Sequence, residues 1–193
     1  MKTPRKALSA AMVVAAVTAS VTMSPPASAA AVTIRIQYDY TTVVREMVGL
    51  AVCPTNQVLL SRSHRGDENG YTTYHCGWIF INDEQVQVHT ANVWTPSQGL
   101  KESKSDFVAP PDQALVGRWH TGDENGLTKY ETATLTWRGQ PVRLINPVWS
   151  SWYKESKHAS QAGYNQVMTG RTHNGDENGS TRYQYATVAF YES

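Results

Sequence analysis

The chain has 193 residues, 17 of them Lys or Arg and 16 Asp or Glu, for a formal charge of +1 at pH 7. That balance gives no electrostatic case for nucleic acid or for an anionic membrane surface. The length suits one domain with a sizeable core.

Lys2, Arg5 and Lys6 precede an uncharged apolar run from Ala7 to Met23, and Ala27-Ser28-Ala29 follows. This is the pattern of a secretory signal peptide over residues 1–30, and the run is too short for a membrane anchor. A secreted, extracellular protein without membrane insertion is therefore expected. Beyond the leader, 14 basic residues stand against 16 acidic ones.

The remainder is a repeat. Residues 62–74, 118–130 and 171–183 all spell R-x-H-x-G-D-E-N-G-x-T-x-Y, and the motif divides the chain into units of about 31–84, 85–138 and 139–193. Each unit opens on a short run rich in β-branched residues: Val32 to Ile36, Val86 to His89, Val142 to Ile145. A basic–acidic pair follows, Arg45-Glu46, Lys101-Glu102 or Lys154-Glu155, its Glu 18 residues before the motif histidine. Next come Asn56-Gln57, Asp112-Gln113 or Asn165-Gln166, and then the motif. Strand residues dominate and no amphipathic helix is found. The expectation is an all-β fold of ten to twelve strands with a threefold internal repeat, β-trefoil-like or else a β-prism.

Each pentapeptide lies between two strands, so the local unit is a hairpin. Pairing His64 with Thr72 sets Arg62 opposite Tyr74 and Leu60 opposite Cys76. Arg62, His64, Thr72 and Tyr74 then share one face, as do Arg118, His120, Thr128 and Tyr130, and Arg171, His173, Thr181 and Tyr183. Leu59, Leu115 and Met168 are placed on the opposite, core-facing side, followed by Ser61, Gly117 and Gly170 where another backbone comes close.

Two readings of the loop stand side by side. In one it is a device of the fold, with Asp and Asn bonding the turn and Tyr packing beneath. In the other, His64, Asp67, Asn69, Tyr74, His120, Asp123, Asn125, Tyr130, His173, Asp176, Asn178 and Tyr183 converge on a hydroxyl-rich ligand, a glycan held multivalently. Trp94, Trp149 and Trp152, between the motifs, offer further flat apolar faces. No cofactor is required. The loop oxygens would suit Ca²⁺, although the EF-hand spacing is absent. Zinc lacks a second nearby His or Cys in every copy, and His75, His89 and His158 do not recur and read as incidental. Paired carboxylates on one tight loop do not face each other across a substrate bond, and no nucleophile motif is present, so no enzyme is expected.

Cys53 and Cys76 are the two cysteines, and export predicts a disulfide between them. Ala109 with Thr132 and Ala162 with Tyr185 occupy the matching positions, so the bridge is a local staple.

In repeat number and unit length the three units resemble the small secreted lectins built on threefold β folds, such as β-trefoil lectins. The resemblance implies a secreted carbohydrate-binding protein. The Q-x-W signature of ricin-type units is missing, so it assigns no sugar-binding residue. The leader resembles those of proteins exported by actinobacterial-type Gram-positive cells. The alternative partner is a protein, the chain then being a binding or adaptor subunit of a secreted complex such as a toxin assembly, or a protease inhibitor.

Overall fold

A computed structural model describes residues 32–191, which are all-β; the leader expected at 1–30 lies outside them. No described helix is long and apolar enough to cross a membrane. The first unit supplies β1 (Ile34–Arg45), β2 (Leu50–Val52), β3 (Gln57–Arg65), β4 (Tyr71–Ile81) and β5 (Glu84–Gln85). The second supplies β6 (Gln87–Thr90), β7 (Thr95–Lys101), β8 (Asp106–Val108), β9 (Gln113–Thr121) and β10 (Leu127–Trp137). Then come β11 (Gln140–Pro141), β12 (Arg143–Trp149), β13 (Tyr153–Lys154), β14 (Lys157–Gln161), β15 (Gln166–Asn174) and β16 (Ser180–Ala189). The strands outnumber the ten to twelve expected because the outer connections break up. β1 is continuous, whereas its counterparts are divided between β6 and β7 and between β12 and β13, in stretches carrying Pro96 and Gly99 or Pro147.

Three antiparallel sheets result, each built on one motif hairpin. In each, the outermost strand beside the hairpin comes from the preceding unit: β2 pairs with β9, β8 with β15, and β14 closes back on β3. The turns before the hairpins make a second tether. Asn56, Asp112 and Asn165 adopt positive φ of 60°, 60° and 52°, a conformation that Asn and Asp tolerate better than most side chains. Asn56 Oδ1 and Asp112 Oδ1 accept from the backbone N–H of Val88 and Leu144, at 3.1 and 2.9 Å. Each thereby fixes the opening strand of the next unit.

The hairpin register is the expected one near the loop: His64 opposes Thr72 and Arg62 opposes Tyr74. Deeper in, it slips. A β-bulge between Leu59 and Ser61 puts Leu59, not Leu60, opposite Cys76, and the other two hairpins bulge at the same place. The extra residue reverses the alternation. Leu59, Leu115 and Met168 therefore pack with Tyr74, Tyr130 and Tyr183 in one buried cluster rather than on the opposite side. Leu60 and Val116 enter a second cluster with Val58, Ile79, Leu135, Trp137 and Val188. The close approach expected after them is present: a Cβ on Gly170 would stand 2.7 Å from the carbonyl oxygen of Phe107.

Cys53 and Cys76 are disulfide-bonded, tying the turn before β3 to the middle of β4. The bridge closes a loop of about 24 residues, and chain entropy assigns such a loop about 3 kcal/mol. Replacing both cysteines with Ala is expected to lower unfolding free energy by about that amount, read from urea unfolding as a lower midpoint with a steeper slope, because the unlinked denatured chain exposes more surface.

Candidate functional site

The polar faces of the three hairpins point inward. Arg62, Arg118 and Arg171 are 1–2 % exposed, and Glu46, Glu102 and Glu155 are each 6 % exposed. Together they form a closed ring. Arg62 reaches Glu46 at 2.9 Å and Glu155 at 2.8 Å; Arg118 reaches Glu46 at 2.7 Å and Glu102 at 3.1 Å. Arg171 reaches Glu102 at 2.7 Å and Glu155 at 3.2 Å. Every guanidinium thus bridges a carboxylate of its own unit and one of the preceding unit. Tyrosine hydroxyls join the ring: Arg118 Nη1 donates to Tyr74 Oη at 2.9 Å and Arg62 Nη1 to Tyr183 Oη at 2.7 Å. Burying six charges is tolerable only with this degree of pairing.

The pentapeptide loops hold the glutamates in place. Asp67, Asp123 and Asp176 each accept the backbone N–H of the Asn two residues on, at 2.8–2.9 Å. That Asn side chain donates to the neighbouring Glu68, Glu124 or Glu177 at 2.8–3.0 Å. The stiffened loop offers its backbone to the turn bearing the ring glutamate. Glu46 N–H donates to Gly70 O and Met47 N–H to Glu68 O, while Met47 O accepts from Gly122 N–H of the next loop. The other two units repeat these three bonds, through Glu102 with Ser103 and through Glu155 with Ser156. Each turn is consequently clamped between two loops. The second glycine has no room for a side chain: a Cβ on Gly126 would come within 1.8 Å of the Thr121 carbonyl oxygen.

Between the loops and the ring is a cavity of about 40 Å³, lined by Glu46, His64, Asp67 and Glu68 and by the corresponding residues of the other two units. The histidine Nε2 atoms of His64, His120 and His173 lie 2.9–3.0 Å from the carbonyl oxygens of Gly66, Gly122 and Gly175. Burial, followed by the neighbouring arginine, pushes each imidazole below its ordinary value, His120 to about 4. Burial alone would raise the Glu102 carboxyl, but Arg171 and Arg118 overcome it and hold the group at about 2.

The twelve residues expected to converge on a ligand are therefore divided. Tyr74, Tyr130 and Tyr183 are at most 2 % exposed and lie within the core, where no glycan can touch them. His64, His120 and His173 are buried against the small cavity. Asp67, Asn69, Asp123, Asn125, Asp176 and Asn178 are at the surface, bonding their own loops. The ring glutamates were given no role from the sequence, although their constant distance from the motif histidine was the available signal. His158, read as incidental, is buried and belongs to the network: its Nε2 lies 3.1 Å from Arg62 Nη1 and 2.7 Å from Tyr183 Oη. Among the described residues no group of three or more His, Cys, Asp or Glu is placed to hold a metal ion.

Comparison with protein-family models, with curated proteins and with solved structures finds no match to this chain.

Removing one ring partner strands the charges it paired, so Arg118→Met is expected to cost about 3–5 kcal/mol, measured by chemical denaturation. The network also sets the acid limit. The imidazoles titrate lower in the folded state than the ordinary 6.5, so their contribution is complete above that pH and is lost as pH falls toward 4. Glu102 contributes above 4.5 and its share disappears toward pH 2. The denaturation midpoint should therefore be flat from about pH 6.5 to about pH 9 and fall in two stages below that window.

Proposed function

We propose that the chain is an exported, non-catalytic carbohydrate-binding module of threefold β architecture. Three observations support the architecture: three separate sheets, each a motif hairpin flanked by a strand of its own unit and one of the preceding unit; cyclic pairing between units; and a common core. Separate four-stranded paths favour the prism form over a trefoil barrel. The Cys53–Cys76 bond supports export, since such bridges persist in oxidising compartments.

The ligand face is assigned away from the hairpin interior. The observation that carries the reading is a groove of about 690 Å³ on the first sheet, between β1 and β14. Tyr38 and Tyr153 present aromatic rings there, beside His75, Ser61, Ser63 and Gln161. Tyr38 is 47 % exposed, edge-on to His75 with ring centroids 6.2 Å apart. Aromatic faces flanked by hydroxyls and an amide suit the alternating C–H and O–H surface of a sugar, and the volume is that of an ordinary small-ligand site. The other two sheets have different outer strands, so this groove is a feature of the first.

The test is a glycan array with residues 31–193, with calcium and again with EDTA. A sugar signal abolished by Tyr38→Ala and by Gln161→Ala, at unchanged melting temperature, is the expected result. Asp123→Ala should lower stability by about 1 kcal/mol, as loss of a turn-capping carboxylate does, yet retain sugar binding. A blank array on folded protein overturns the glycan reading and leaves the protein-partner alternative, tested by recovery of a partner from culture medium.

A further inference from the structure

We propose that the cavity between the three loops is a site for a single primary ammonium group, carried by a small alkylamine or by a lysine side chain. The chemistry of its walls is one-sided. The lining side chains are nine carboxylates and three imidazoles, with no Lys or Arg among them. The three inner carboxylates are matched by the arginine ring beneath, which leaves the six loop carboxylates to attract a cation.

The inner wall lacks hydrogen-bond donors. In the second and third units the histidine directs Nε2 at a loop carbonyl, which can only accept, so that nitrogen bears the proton and Nδ1 is an acceptor. Opposite the Nδ1 atoms are the Oε2 atoms of Glu46, Glu102 and Glu155, at 3.9, 3.7 and 3.5 Å. Two acceptors at such separations need a donor between them. In the first unit the Thr72 hydroxyl occupies the gap, donating to Glu46 and standing 2.8 Å from His64 Nδ1. In the other two, Thr128 and Thr181 donate instead to the backbone carbonyls of Trp119 and Thr172, both at 3.2 Å. His120 Nδ1, His173 Nδ1 and Glu102 Oε2 consequently have no hydrogen-bond partner, although these residues are only 1, 3 and 6 % exposed. Orphaned buried acceptors of this kind carry a substantial penalty that an incoming donor removes.

Size and donor pattern select the guest. About 40 Å³ admits an ammonium head or a couple of waters and excludes a sugar ring. A primary ammonium is a donor in three directions and an acceptor in none, which matches the two open acceptor pairs, His120 with Glu102 and His173 with Glu155, and leaves a third N–H for the loop carboxylates. The exposed Asp67, Asp123 and Asp176 mark the outer end, by which an alkyl stem leaves. This site is independent of the glycan groove and does not depend on that reading.

The test compares methylammonium, tetramethylammonium and sodium chlorides at equal concentration on the mature chain, by calorimetry and thermal shift. Tetramethylammonium has the charge without N–H donors. The expected result is saturable binding and a raised melting temperature with methylammonium alone, weakened at least tenfold in Glu124→Gln/Glu177→Gln, whose carboxylates lie in loops and not in the ring. Nα-acetyl-lysine amide, whose free amine is the ε group, binding likewise would identify a lysine side chain as the natural guest. Its failure beside a methylammonium success would identify a small amine. Equal responses to the three salts, or only water in the cavity of crystals grown in methylammonium, would overturn the proposal.

Discussion

Everything else in the structure is arranged around six buried charges that alternate in a ring. A carboxylate removed from water needs two good donors and a guanidinium needs matching acceptors, or the desolvation cost exceeds what pairing returns. Here each charge takes one partner from its own unit and one from a neighbour, so the ring is complete only when all three hairpins are seated. The requirement reaches outward to the loops. The glutamates sit on short turns, a single 3-10 turn at Glu46–Val48 and at Glu102–Lys104, and these turns are held by backbone bonds to two pentapeptide loops apiece. The Asp–Asn–Glu string makes those loops stiff enough to serve, and the flanking glycines make them tight enough. A motif that looks like display is thereby used as a clamp.

This explains which parts of the structure were legible in the sequence. The hairpins and their register beside the loop could be read because alternation is a local property and the repeated loop fixes its length. The bulge at Leu60 could not, since nothing in the residues from Leu59 to Ser61 marks where the extra residue falls. The direction of the polar face was ambiguous for a deeper reason. Arg, His, Thr and Tyr on one side of a strand ordinarily face water, and only knowledge of their counter-charges reverses that expectation. Those counter-charges, Glu46, Glu102 and Glu155, come from outside the hairpins and reach across unit boundaries, up to 93 residues away in the case of Arg62 with Glu155. The same distance hid His158, which belongs to the network through contacts with another unit.

Side chains repeated three times close the centre, whereas the groove of the first sheet is lined, Arg62 apart, by residues outside the repeated motif positions. Tyr38 lies on the uninterrupted β1, and Ala159 to Gln161 on the longest of the strands that cross between units. Departures from the repeat, rather than the repeat itself, supply the individuality of the surface. The disulfide belongs with these departures: it ties together the first unit alone, the one that contributes Tyr38 and His75 to the groove.

The cyclic sharing of strands has a consequence for assembly. A solitary unit would expose one unpaired strand edge and leave its arginine and glutamate each half-neutralised. Three identical copies of such a unit, joined head to tail, would satisfy both needs at once, because the contact each makes with the next is the contact needed to return to the first. The bonds from β14 back to β3 are that closing step, made within one chain. A rotation that closes after three steps leaves no sticky end for a fourth, so the interface that builds the molecule also caps its growth.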